Sequence, residues 1–133
     1  MSTALPSQSV ALVIDDDDRS AKLLQRFLEA ERFAVVCSIS AEEALREAPK
    51  HRLALITLDL QMFGMDGWQF LQKLHESGLH ARVPVIVVSG RPVPDDLVER
   101  QGVITALQKP ICLIQLKAIL DRLGLLQAAA AAR

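Results

Sequence analysis

A chain of 133 residues, 50% hydrophobic and 23% charged, has the size and profile of one globular domain: large enough for a single core, too short for two ordinary ones. Its formal net charge of -1, with no cluster of Lys or Arg, gives no electrostatic reason to expect nucleic acid or an acidic membrane as a partner. No apolar run nears the roughly 18 residues of a membrane span, and the opening MSTALPSQS has neither the basic start nor the apolar core of a signal peptide, so a cytoplasmic protein is expected.

The first element, Val10 to Ile14, is an apolar run long enough for one buried strand, and it meets Asp15 to Asp18 without an intervening turn. A run of like charge is ordinarily a solvated loop or tail. Here it joins a strand to a stretch in which Ala21, Leu24, Phe27 and Leu28 fall on one helical face, so the aspartates mark a strand-to-helix junction. Asp17 or Asp18 is suited to cap that helix by accepting backbone N–H groups, and the positive end of the helix dipole tolerates another acid nearby. Asp15 and Asp16 are left without a structural reason.

FAVVCSIS, residues 33–40, reads as a second strand, and Ser40 with Glu43 three residues later forms a capping box for a helix through about Ala48, with Pro49 at its end. LALITL, residues 53–58, is a third strand; Asp66 and Gln69 make a second cap pair before a helix from about Gly67 to Ser77. VPVIVVS, residues 83–89, is a fourth strand. A short helix around Asp95 to Gln101 precedes a fifth strand near Ile104 to Gln108, and Leu113, Leu116, Leu120 and Leu123 give the last helix its buried face. Cys37, in the second strand, and Cys112, at the start of the last helix, have no metal-ligand spacing and read as small buried apolar residues that stay reduced. The domain is expected over 9–125, between a flexible start at 1–8 and an Ala-rich extension at 126–133.

Near-continuous apolar character in the third and fourth strands requires burial on both faces, and alternation with helices supplies it: an α/β fold with a parallel sheet between helical layers. In such sheets ligands bind beyond the carboxyl ends of the strands, where strand order reverses. Polar residues collect there: Asp15 and Asp16 after the first strand, Asp59 after the third, Ser89 after the fourth and Lys109 after the fifth. Singly, each has a bland explanation as a turn former or solvated residue. If the strand order is 2-1-3-4-5, the first and third strands are neighbours and three carboxylates share one crevice, where a like-charged pair at about 4 Å costs on the order of 4 kcal/mol at an effective dielectric of 20. Hard oxygen donors without nearby His or Cys favour Mg²⁺ over zinc.

These residues carry a resemblance. VIDDD, DLQMFGMDGW after the third strand, VVSG and LQKP stand in the order, and nearly the spacing, of the receiver domain of two-component response regulators, and the chain is similar to the single-domain chemotaxis type from Val10 to about Leu125. The resemblance implies a flavodoxin-like doubly wound sheet of five strands in the order 2-1-3-4-5 with five helices. It implies Asp59 as phosphoacceptor, Asp16 and to a lesser degree Asp15 holding Mg²⁺ with Asp59 and the backbone carbonyl of Gln61, Ser89 as switch hydroxyl, Lys109 pairing with the phosphoryl group, and a cis bond before Pro110. The expected donor is a sensor histidine kinase or phosphotransfer protein, and the expected output a protein partner reached by a stand-alone domain.

Three positions and one stretch depart from the family pattern. Phe63 stands where proline is usual, Ala106 where an aromatic is usual on the fifth strand, and Ile111 where phenylalanine is common; the stretch from Ser89 to Gly102 is about two residues short and carries Pro92 and Pro94. The competing readings are a binding module of this fold that no longer uses phosphate, and an aspartate-nucleophile hydrolase like the haloacid dehalogenases. The second lacks its DxD motif, since Leu60 and Gln61 follow Asp59, and lacks a cap domain.

Overall fold

The computed structural model describes residues 9–61, 67–78, 83–100 and 103–126. In chain order these form β1 (Val10–Ile14), α1 (Asp18–Ala30), β2 (Ala34–Ser38), α2 (Ala41–Glu47), a 3-10 turn (Ala48–Lys50), β3 (Leu53–Asp59), α3 (Gly67–Ser77), β4 (Val85–Ser89), α4 (Asp95–Arg100), β5 (Thr105–Gln108) and α5 (Leu113–Arg122). The expected residues 1–8 and 127–133 of the two terminal segments, Phe63, and Asp66 of the second cap pair lie outside the described residues.

All strand pairs are parallel, in the order β2-β1-β3-β4-β5. The chain steps from β1 to β2 on one side, then returns to place β3 on the other, so the carboxyl ends of β1 and β3 stand side by side at the reversal point. Side chains alternate across the sheet. Leu12, Ile14, Ile56, Leu58, Val85 and Val87 pack on one face with Ala41 and Ala44 of α2 and Phe70, Leu71 and Leu74 of α3. Ala11, Val13, Leu55, Ile86 and Leu107 pack on the other with Ala21, Leu24 and Leu28 of α1 and Leu116 and Leu120 of α5. Leu53 and Leu55 lie in different cores because the β1–β3 register shifts between Val10 and Ala11, placing an extra residue in β3.

The ends of the elements have local causes. The Asp17 carboxylate accepts the Arg19 N–H and caps α1, and the Ser40 hydroxyl accepts the Glu43 N–H and caps α2. α1 stops where Arg32 adopts left-handed backbone, φ 73°, and turns the chain into β2. Pro49 has no N–H to continue α2, which tightens into the 3-10 turn. Pro84 likewise cannot donate, so β4 starts at Val85 rather than at residue 83, although the Pro84 carbonyl still accepts from Ile56 at 3.0 Å. On α1 Phe27 is only partly buried, as are Leu113 and Leu123 near the ends of α5.

The cysteine expectation is overturned: Cys37 and Cys112 are both exposed. β2 is an edge strand whose outer residues are only half covered, and Cys37 points outward toward Gln25, its Sγ 3.8 Å from Oε1. Cys112 occupies the N-cap of α5, ahead of the helical positions that reach the sheet. Among the described residues no helix is long and apolar enough to cross a membrane.

Candidate functional site

The four consecutive aspartates divide into distinct roles. β1 delivers Asp15 at its carboxyl end, where the Asp15 N–H still bonds the Ser38 carbonyl at 3.0 Å and the side chain is 2% exposed. Its Oδ1 accepts the Asp17 N–H at 2.8 Å. Asp16 is exposed beside it. Asp17 turns the other way, its Oδ1 accepting from the Arg19 N–H at 3.0 Å and its Oδ2 from the Ser20 hydroxyl at 3.3 Å, while Asp18 pairs with Lys22 on the helix surface at 3.1 Å.

Asp59 is the last residue of β3, 3% exposed, and its Oδ1 accepts the Gln61 N–H at 2.9 Å. Ser89 ends β4, also 3% exposed, and its hydroxyl accepts the Arg91 N–H at 3.1 Å. Lys109 follows β5, its N–H bonded to the Ser89 carbonyl at 2.8 Å, and the peptide to Pro110 is cis. Although β5 is two strands from β3, the lysine stem spans the gap: Nζ lies 3.2 Å from Asp15 Oδ2 and 3.3 Å from Asp59 Oδ2.

Carboxylate oxygens of Asp15, Asp16 and Asp59 all lie within 4.8 Å of one another. Burial raises the Asp15 carboxyl from 3.8 to about 6; the Asp59 charge adds to the rise, while the Asp17 N–H and Lys109 oppose it. Burial acts to lower the Lys109 ammonium, yet Asp15 and Asp59 outweigh it and hold it above the ordinary lysine value. The crevice thus concentrates negative charge that one ammonium compensates in part. Clustered hard oxygen donors of this kind fit Mg²⁺, which takes carboxylates and phosphate oxygens together.

Every residue singled out at the strand ends comes to this crevice or its margin. The sequence reading missed two features of Gln61. Its N–H fixes Asp59, and its side chain lies against the backbone of Gly90, where an added Cβ would sit 2.9 Å from Gln61 Oε1. The Ser89–Gly90 pair was the available signal, since a glycine after a strand end often marks a close approach.

A family model described as the response regulator receiver domain matches residues 11–121. The transcriptional regulatory protein SrrA of Staphylococcus aureus is 32% identical over 117 residues, covering 84% of this chain and 47% of its own length. The chain therefore spans about half the length of the curated relatives it matches. Chemotaxis protein CheY4 of Vibrio cholerae superposes with a TM-score of 0.80 at 22% identity, over 87% of this chain and 98% of that one. The receiver domain of sensor histidine kinase PA1611 of Pseudomonas aeruginosa, described with a magnesium ion coordinated in its active-site cleft, gives a TM-score of 0.77 at 21% identity, over 87% and 97%.

Proposed function

Because the chain belongs to the response regulator receiver domain family, we propose that it works as a phosphorylation switch. Asp59 takes a phosphoryl group from the phosphohistidine of a sensor histidine kinase or phosphotransfer protein, and the resulting change of conformation regulates a protein partner. The observation that carries this reading is the Lys109 ammonium held between the two buried carboxylates of Asp15 and Asp59. A cytoplasmic location belongs to the same reading.

In the transfer, an Asp59 carboxylate oxygen forms the new P–O bond as the P–N bond of the donor breaks, with the electron pair leaving on the imidazole nitrogen. The Gln61 N–H on Oδ1 fixes the orientation of the attacking group. Lys109, already 3.3 Å from Oδ2, swings its ammonium onto a phosphoryl oxygen with little displacement of its stem. Mg²⁺ is assigned to Asp15, Asp16, Asp59 and the backbone carbonyl of Gln61, where it would neutralise charge on the transferring group. The carboxylate cluster and the magnesium described for the PA1611 domain support that assignment. Receiver domains are signalling domains rather than turnover enzymes, and Asp59 is here the substrate of the transfer.

Ser89 reads the new charge. Its hydroxyl accepts one N–H and keeps its own proton for a phosphoryl oxygen, and turning toward that oxygen gives up the Arg91 N–H. The loop from Gly90 to Pro94 follows, tied to the core through Val93. Ala106 has no ring to swing between rotamers, so the loop after Ser89 is the route of the signal. Beryllofluoride with Mg²⁺ should shift amides of residues 59–61 and 89–96 in the wild-type chain. Absence of any shift would leave a binding module that does not use phosphate; the largest shifts along β5 and α5 would overturn the loop-centred route.

A further inference from the structure

β2 closes one side of the sheet: it pairs with β1 from Val10↔Ala34 to Ile14↔Ser38 and has no strand on its other side among the described residues. The Ala34 N–H bonds the Ser9 carbonyl at 2.9 Å and the Ser38 carbonyl accepts the Asp15 N–H at 3.0 Å, so the backbone groups of Ala34, Val36 and Ser38 face β1. Both groups of one residue point the same way in a parallel ladder and the direction alternates along the strand, so the N–H and C=O of Val35 and Cys37 face outward.

Edge strands are ordinarily blunted by a charged side chain, a proline or a bulge. β2 has none of these: Phe33 to Ala41 holds no charged residue, proline or glycine, and the register with β1 is unbroken. Cys37 is exposed, Val35 and Val36 are half-buried, and Ile39 just beyond the strand is 67% exposed. The outer edge is an uncharged rim, rich in β-branched residues, that carries two donors and two acceptors.

We propose that β2 pairs edge to edge with β2 of a second copy of this chain, antiparallel about a two-fold axis at Val36, joining the two five-stranded sheets into one. The occupant follows from the edge's own pattern. An axis at Val36 sets Val35 of each copy opposite Cys37 of the other, and each such pair exchanges both N–H···O bonds, which uses every outward group of β2 and no group outside it. An axis at Val35 would need the Phe33 N–H, already given to the Leu28 carbonyl at 3.0 Å, and an axis at Cys37 would need Ile39, which lies outside the strand. The first charges beyond the two ends, Arg32 and Glu42, are opposite in sign, so antiparallel pairing brings unlike ends together where parallel pairing would bring like to like. A five-residue edge buries little area, so the pairing is weak and forms at high protein concentration. It lies on the side of the sheet away from β5 and does not depend on Asp59 accepting phosphate.

The test compares sedimentation and amide hydrogen exchange of the full chain at about 10 μM and about 1 mM, which bracket a weak association. At the higher concentration the average mass should rise toward twice that of the monomer. The Val35 and Cys37 amides should then exchange about threefold or more slowly, while those of Ala34, Val36 and Ser38, which face β1, should not change. Cys37→Lys, a charge placed on the exposed edge, should weaken association about tenfold or more. Disulfide trapping needs no disruptive change: with Cys37→Ser and Cys112→Ser, and diamide as the two-electron oxidant, Val36→Cys should cross-link, because opposed residues of this kind have Cα atoms about 4.5 Å apart, within the range of about 4.4–6.8 Å that a disulfide spans. Cys37 in the Cys112→Ser chain lies diagonally across the axis at roughly 7–8 Å and should cross-link about tenfold or more slowly. A mass that stays monomeric at both concentrations, trapping that is faster through Cys37 than through Val36→Cys, or a dimer that Cys37→Lys leaves intact would overturn the proposal. So would a monomer whose Val35 and Cys37 amides are slowed only by an added blocked Thr-Val-Thr-Val-Thr peptide, which would assign the edge to a strand of another protein.

Discussion

Neighbouring aspartates in this chain have opposite energetic signs. Asp15 is buried against another carboxylate, and its acid is pushed from 3.8 to about 6. The folded state therefore holds a proton there that the unfolded chain has already released, and the stabilisation is complete below about pH 4 and lost as pH rises through 6. Metal-free urea denaturation should show this as a fall in stability between those values that Asp15→Asn removes. At pH 7 the Asn variant should be more stable than wild type by about 2 kcal/mol; 1.36 kcal/mol per pKa unit would give roughly 3, and Lys109 loses one of its two charged partners. A variant less stable at pH 7 would make the Asp15 carboxylate a structural anchor instead. Two residues on, Asp17 caps α1, and Asp17→Ala should cost about 1 kcal/mol in the same assay. Asp16, exposed beside them, should change stability little when made Ala.

Among the elements, those buried on both faces were the most plainly legible. β1, β3 and β4 announce themselves as apolar runs, and the capping pair Ser40 and Glu43 marks the start of α2 where the structure puts it. Strand order came with the resemblance to receiver domains, and the observed β2-β1-β3-β4-β5 agrees with it. The edge strands were read as strands, but their exposure was not. Cys37 has the composition of a core position but lies on the outer edge strand, where burial depends on which strand is outermost rather than on local pattern. The bonds of Gln61, one to Asp59 and one contact over Gly90, depend on loop geometry with no periodic signature. The same logic sets where substitutions will be costly. Phe70 of α3 is fully buried on the β1–β3 face, and Phe70→Ala should cost about 3–5 kcal/mol, read as a lowered urea midpoint; a loss under 1 kcal/mol would mean that α3 is not packed as described.

For the whole molecule, the fold places rigid parts and a changeable part in series. The sheet fixes Asp15, Asp59 and Ser89 at adjoining strand ends, each nearly inaccessible to solvent, and two separate cores hold it from either side. Ser89 ends β4 ahead of a loop carrying two prolines, so a change in its hydrogen bonding acts on a segment outside the regular helices and strands. Lys109 links the first, third and fifth strands through one ammonium, and Lys109→Ala should permit some modification of Asp59 while removing the amide shifts that beryllofluoride produces in residues 89–96. All of this rests on Asp59 as the phosphoacceptor. Incubation with acetyl phosphate and Mg²⁺, followed by intact-mass measurement, tests that claim most directly: one phosphoryl group should appear on the wild-type chain and none on Asp59→Asn, whereas labelling of the variant at the wild-type rate would contradict it.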